Sequence, residues 1–452
     1  MKYASAINPT RLKFGAVFHL FPIKINTYKQ MKTFLSRFGL SVFSFLTFVA
    51  AHGQSRYVLE ADRIFDGQQV RTGWVVLVEN NLITAVGPAS QVSVPSDATR
   101  LSFAGSTLLP GLIEGHSHLL LHPYNETSWD DQVLKESDAL RVTRATVHAR
   151  RTLLAGFTTV RDLGSEGAGY SDVGLKKAIE ERIIPGPRMI VAGPAIVATG
   201  SYGPKGFDTD FKVMLGAEQA DGNNIVRVVR DQIGKGADVI KVYADYRWGR
   251  GDEARPTFSI EELKLAVETA ASSGRPVVAH ATTAEGMRRA AMAGVQTIEH
   301  GDDGTLEVFQ LMKEKGVAFC PTLTADEAMS EYNGWKKGSA PEPARIKEKR
   351  ESFKLALKAG VTICAGSDVG VFAHGQNARE LELMVDFGMT PVDVLRSATS
   401  INARVFHIEK ETGQLITGLR ADIIVVRGDP TKEISSLRAI QWVMKDGTIA
   451  EK

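Results

Sequence analysis

The chain has 452 residues, 43% of them apolar and 23% charged, with 42 glycines, 17 prolines and a mean hydropathy of −0.09. This composition excludes a disordered, collagenous or coiled-coil protein and leaves room for a large α/β enzyme domain with a smaller companion. The formal charge of +2 comes from the first 53 residues, which hold seven Lys or Arg and no acid; the remainder carries 47 basic and 52 acidic residues, net −5, with no basic run that would suit nucleic acid.

Residues 31–53 open on Met31-Lys32-Thr33, continue through an apolar stretch at 38–51 and close on Ala51-His52-Gly53, the layout of a secretory signal peptide. The stretch is too short to span a membrane. Met31 begins this pattern, so 1–30 read as an upstream extension, and Met1 and Met31 are both open as the start. The expectation is an exported protein, periplasmic or extracellular, with no stable membrane span after processing.

From 54 to 109 short strands and turns are predicted, with Asp66-Gly67 and Asn80-Asn81 as turn residues, and the same texture returns over 412–452. Several short strands are needed to bury a face, so the two ends are expected to build one small β-sandwich domain together. Between them, over 110–411, apolar runs alternate with amphipathic stretches. Eight strand candidates fall at 109–114, 158–161, 188–192, 239–242, 277–279, 297–299, 317–319 and 362–365. A helix is predicted over 259–272, where Ser259 can cap and Glu262 can complete a capping box. Eight strands separated by helices fit a (β/α)8 TIM barrel, with a doubly wound sheet as the alternative. Cys320 and Cys364 each sit in an apolar run and read as buried small side chains rather than a disulfide.

The first barrel strand runs into Gly115-His116-Ser117-His118. In extended chain, side chains at i and i+2 share a face, so His116 and His118 can offer two imidazoles to one metal. His280 closes 277–279, His300 closes 297–299, Lys241 lies in 238–242, and Asp368 follows 363–367. These ligand types end the first, fourth, fifth, sixth and eighth strands, which converge on the C-terminal face where barrel active sites lie. A lysine inside an apolar strand must find a partner or lose its charge. A neutral amine beside metal can take up carbon dioxide as a carbamate, an anionic donor able to bridge two ions; the other reading is an outward lysine reaching solvent.

These residues resemble the amidohydrolase superfamily, in its imidazolonepropionase-like branch with metal-dependent Xaa-Pro and Xaa-Arg dipeptidases and an ochratoxin-hydrolysing amidase. The likeness runs from Ile64-Phe65-Asp66-Gly67 through 109–118, Phe157-Thr158-Thr159-Val160-Arg161-Asp162, Ile298-Glu299-His300-Gly301 and Gly366-Ser367-Asp368 to Gly418-Leu419-Arg420-Ala421-Asp422-Ile423. It implies His116, His118, a carboxylated Lys241, His280, His300 and Asp368 as ligands of two divalent ions. Two departures stand out. Glu114 replaces the family's usual Asp, and Val242-Tyr243-Ala244-Asp245-Tyr246-Arg247-Trp248 replaces a small-residue segment, so a proline-peptide specificity does not transfer.

The resemblance implies a metal-bridging hydroxide attacking an amide carbonyl, with Asp368 taking the proton and passing it to the leaving amine. Imidazole and carboxylate donors suit Zn²⁺ best, with manganese or cobalt as alternatives. The expected substrate is a small molecule, a dipeptide or N-acyl amino acid, its carboxylate read by Arg247 and Tyr243, the alternative being that Arg247 only pairs with Asp245 or Asp252 at the surface; Tyr202 and His374 are further pocket residues, and self-association into a homo-oligomer is left open. The other readings are a mononuclear cyclic amidase or deaminase of imidazolonepropionase type and a non-catalytic binding barrel. The glycine-rich 164–169 lacks a dinucleotide fingerprint and reads as a loop after the second strand, and Asn125-Glu126-Thr127 matches the glycosylation pattern only formally.

Overall fold

A computed structural model describes residues 55–339 and 341–451. The extension expected at 1–30 and the signal peptide expected at 31–53 lie outside them. The described chain begins with the strands Arg56–Phe65, Trp74–Glu79, Leu82–Pro88 and Thr99–Pro110. Alternation along them divides their apolar residues between two clusters, one with Leu59, Val76, Val78, Ile83 and Leu108, the other with Val58, Val75 and Leu77. From the other end of the sequence, Ile423–Arg427 pairs antiparallel with Thr99–Pro110, Ile424 opposite Leu109, and Ile440–Lys445 pairs with Ile423–Arg427. The two ends thus hydrogen-bond into one eight-stranded mixed sheet rather than two separate ones.

Pro110 ends the last N-terminal strand of that sheet, and Leu112 begins the next strand, Leu112–Ser117. The single apolar run expected at 109–114 is therefore split between two sheets. A Cβ at the intervening Gly111 would lie 2.0 Å from Thr158 Oγ1, so the crossing needs glycine.

Leu112–Ser117, Phe157–Asp162 and Arg188–Val191 form one parallel sheet, while Ile240–Tyr243, Val277–Ala281, Thr297–His300 and Ala318–Cys320 run side by side in a second. Helices alternate with them, including Asp138–Leu154, Ser171–Glu180, Asn224–Gly234, Ile260–Ala271, Ala284–Ala293 and Leu306–Lys315. Their apolar faces pack on the strands in one large cluster that includes Val228, Leu263, Met287, Phe309, Ile240 and Ile298. The fold is α/β and TIM-barrel-like. Ser259 Oγ accepts the Glu262 N–H and Glu262 accepts the Ser259 N–H, the predicted capping box.

The eighth strand expected at 362–365 is not a regular strand; it pairs through isolated bridges at Ile363 and Val369. Gly366 and Asp368, left-handed at φ 61°, interrupt the pleat. The segment nevertheless stitches the two sheets: Phe319 N–H donates to Thr362 O at 2.8 Å and Gly115 N–H to Ala365 O at 2.9 Å. On the other side, Asp238 N–H donates to Val191 O at 2.8 Å. Cys320 and Cys364 are buried and free, in an apolar cluster with Ile113, Ala318, Ala403 and Phe406. Among the described residues no helix is long and apolar enough to cross a membrane.

Candidate metal centre

His116 and His118 project from the C-terminal end of Leu112–Ser117 and the residue beyond it. Each ring is oriented by its Nδ1. His116 Nδ1 donates to Glu299 Oε2 at 2.9 Å, and His118 Nδ1 to Gly164 O at 2.9 Å. Both acceptors lack a proton to give, so each Nδ1 carries one and each Nε2 is left for another partner. That partner is Asp368, whose Oδ1 lies 3.6 Å from His116 Nε2 and 3.2 Å from His118 Nε2. One ligand atom from each of the three side chains falls within 4.8 Å of the others.

The imidazoles continue in a line. Ring centroids are 5.3 Å apart for His116 and His118, 5.1 Å for His116 and His300, and 4.4 Å for His300 and His280. His280 stacks on Tyr243 at 4.5 Å. His300 is held in left-handed backbone at φ 76° with its Nδ1 2.8 Å from Thr322 Oγ1, and Thr322 is itself left-handed at φ 50°. Non-glycine residues in that region are uncommon, and a β-branched one is an outlier, so strained backbone gathers here. Lys349, buried, donates to His300 O at 2.7 Å and pairs with Asp302, which holds that conformation from behind.

Burial is the largest influence on every one of these groups. It drives His280 and His300 far below the usual imidazole range, helped by neighbouring cations, so both stay neutral. Burial and Lys241 lower His116 to about 4. Against its own burial, His118 is lifted to about 9 by Asp368, while His116, His118 and Lys241 hold Asp368 below the usual carboxylate range. Neutral imidazoles and an ionised carboxylate are the forms that ligate metal, and the His118 proton occupies ground a cation would take.

Lys241 lies in Ile240–Tyr243, 1% exposed, and burial lowers its pKa against the pull of Glu299 and Asp368. Among the described residues its ammonium has no hydrogen bond or ion pair; its one contact of note is with the Tyr243 ring at 5.6 Å. A lysine this little exposed, its amine without a hydrogen bond and beside neutral imidazoles, fits a donor set built for divalent metal.

Two carboxylates that sequence reasoning did not place among the working residues organise this set. Glu299 joins His116 to Arg161, whose Nη2 lies 2.9 Å from Glu299 Oε1, while Arg161 Nε donates to Gly115 O at 2.7 Å. Burial alone would raise Glu299, but Arg161, His116 and Lys241 keep it well below the carboxylate range. The signal was an acid in an apolar strand next to His300. Glu114 accepts the His116 and Ser367 N–H groups at 3.1 and 2.7 Å, the Ser367 hydroxyl at 2.7 Å and Asn377 Nδ2 at 2.8 Å, tying the first strand to the segment that carries Asp368.

His116, His118, His280, His300 and Asp368 open onto a cavity of about 870 Å³. Tyr202, Tyr243 and Arg247 also line it, but His374 does not. His374 is buried, stacked on His148 at 4.2 Å, with Nε2 3.1 Å from Leu121 O; the glycine-containing turn at Gly370 folds its segment inward, so the expected contact with substrate is withdrawn. Arg247 makes no ion pair among the described residues, with Asp245, which Thr282 and Thr283 engage, or with any other carboxylate; its guanidinium lies over the Tyr246 ring at 5.6 Å.

A parallel α/β frame with imidazoles and a carboxylate at or just past its strand ends, and a buried lysine inside one strand, is the arrangement expected of a metal-dependent hydrolase. The Amidohydrolase family model matches residues 107–450, and the chain belongs to that family. Ochratoxinase of Aspergillus niger is 33% identical over 421 residues, which cover 85% of this chain and 84% of that protein. Among solved structures, a Xaa-Pro dipeptidase with methionine bound in its active site is 30% identical with a TM-score of 0.78, covering 87% of this chain and 99% of its own. A prolidase complexed with N-methylphosphonate-L-proline is 26% identical with a TM-score of 0.76 over 87% and 99% of the two chains. The protein is a hydrolase of carbon–nitrogen bonds that uses divalent metal and acts on a small molecule.

Proposed function

We propose that the protein hydrolyses the amide bond of a dipeptide or N-acyl amino acid with two divalent ions, Zn²⁺ foremost. His116, His118, His280, His300 and Asp368 would hold them together with Lys241 as its carbamate. The observation that carries this reading is Lys241, 1% exposed and without a hydrogen bond or ion pair among the described residues, within electrostatic reach of His116, His280 and His300, which with His118 line one cavity. Such ions supply Lewis acidity toward the scissile carbonyl and an acidified water.

The chain's own residues do the rest. Glu299 and Gly164 fix the tautomers of His116 and His118. Asp368, facing both Nε2 atoms, accepts the proton of the attacking water at a carboxylate oxygen and returns it to the leaving nitrogen. Arg247, a cation on the cavity wall with no acidic partner, suits the carboxylate of the leaving amino acid, beside Tyr243. The apolar stretch at 38–51 supports export, checked by N-terminal sequencing of the secreted protein.

The test is a panel of dipeptides and N-acyl amino acids offered to zinc-loaded protein, with metal content measured in parallel. Hydrolysis with about two ions per chain supports this reading. One ion per chain with turnover of a cyclic amide would replace it by the mononuclear alternative.

A further inference from the structure

The glycine-rich loop after Phe157–Asp162 carries a carboxylate that none of the chemistry above employs. Glu166 is 3% exposed and lines the cavity, yet it has no ion pair among the described residues. Its side chain accepts from Trp129 Nε1 at 2.9 Å and from the Tyr202 hydroxyl at 2.7 Å, with the Tyr243 hydroxyl farther off at 3.5 Å. The nearby cation, Arg141, does not neutralise it. Its guanidinium is spent on the carbonyls of Leu120, Ser165 and Glu166, which clamps the loop backbone, while Glu166 itself sits in left-handed conformation at φ 48°. His118, Arg141 and Lys241 reach this carboxylate only through space, and its hydrogen bonds come from neutral donors, so a cation brought by the ligand would be its first direct ionic partner.

The walls around it have the matching chemistry. Tyr202 packs edge-on against Trp129 at 5.2 Å, and lies 4.7 Å from Tyr243 and 4.8 Å from Tyr246, with Tyr243 stacked on His280. A continuous aromatic wall therefore runs from the carboxylate to the metal-ligating imidazoles. Electron-rich faces beside one carboxylate are how proteins receive alkylammonium groups.

We infer that Glu166 and the wall formed by Trp129, Tyr202 and Tyr246 are a subsite for an alkylammonium group on the acyl side of the substrate, with Tyr243 on the border between it and the carboxylate end. This rests on the proposed amide hydrolysis and deepens it, since it selects substrates with a free amine over neutral N-acyl amino acids. The amine belongs either to the α-position of an N-terminal residue or to a basic side chain.

Three substrates separate these sources: Ala-Leu, N-acetyl-Lys-Leu and N-acetyl-Ala-Leu. One or both amine-bearing substrates should exceed the neutral one in kcat/KM by about tenfold or more in the wild type, and Glu166→Gln should erase that ratio mainly through KM. Glu166→Gln keeps an oxygen for Tyr202 and Trp129, so a purely structural role would lower all three substrates alike. Tyr246→Leu is the second variant and should reduce the ratio by about threefold without touching the carboxylate. A binding arm stands apart from catalysis: n-butylammonium and n-butanol titrated against the metal-loaded protein by saturation-transfer NMR. Preference for the ammonium, lost in Glu166→Gln, supports the subsite even if none of the three amides is cleaved, an outcome that would count only against the substrate reading. Equal binding of the two probes, or an amine preference that survives in Glu166→Gln, overturns it.

Discussion

His116 Nδ1 and Glu299 Oε2 lie 2.9 Å apart, both wholly inside the protein, and the second oxygen of Glu299 is held by Arg161 at 2.9 Å. One carboxylate thus fixes the tautomer and the aim of an imidazole proposed to hold metal, while a buried guanidinium keeps that carboxylate ionised.

Glu299→Gln should weaken metal binding by about 10- to 100-fold, because an amide neither orients nor enriches the imidazole as a carboxylate does. Competition of the loaded protein against a chromogenic chelator measures this, and wild-type affinity in the variant would remove Glu299 from the account.

Asp368→Asn should keep the fold and most of the metal but lose about 10²- to 10⁴-fold in turnover, since the proton acceptor is gone. Single-turnover kinetics at saturating substrate give the number. Substantial residual turnover points to another base, with Glu114 the first to examine for its position behind Ser367.

Arg247→Ala should raise KM about tenfold for a substrate with a free C-terminal carboxylate and leave the matching C-terminal amide nearly unchanged, reflecting loss of a charge-assisted contact. A variant that keeps the wild-type preference for acid over amide places the carboxylate elsewhere.

Much of this site was legible because its chemistry breaks a local pattern. Two histidines at i and i+2, and a lysine within Asp238-Val239-Ile240-Lys241-Val242, are costly in apolar strands, so their presence announces a purpose. The eighth strand was less legible, since its apolar run 362–365 reads like the others, whereas Gly366 and the left-handed Asp368 reduce its pairing to isolated bridges. His374 misled because distance along the chain from Asp368 says nothing of direction, and the turn carries it to His148. Glu166 was hidden for the opposite reason, as glycines around it signal a loop but not that Arg141 clamps that loop over the cavity.

The composite sheet is tied to the barrel-like part by Arg188, at the start of Arg188–Val191, which pairs with Asp422 at 3.2 Å and Asp446 at 2.8 Å. Arg188→Leu removes the cation from the buried Asp422, which among the described residues keeps only the Asp446 N–H at 2.8 Å, and should cost about 3 kcal/mol in urea unfolding. Asp446 has its pKa lowered below 3.8 in the folded protein, burial being outweighed by Arg188, so its contribution is present above that value and is lost as pH falls through the lower, folded pKa. The gap in stability between wild type and Arg188→Leu should therefore narrow on acidification below about pH 4. A gap that widens instead would assign the stabilisation to another contact.

The most direct measurement of the two-metal reading is metal content per chain by plasma mass spectrometry, after reconstitution with zinc and bicarbonate, for the wild type and Lys241→Ala side by side. About two ions are expected in the wild type, with a loss of the paired site and of turnover in Lys241→Ala, and partial return of both when short carboxylic acids replace the missing carbamate. Two ions and normal turnover in Lys241→Ala would contradict it.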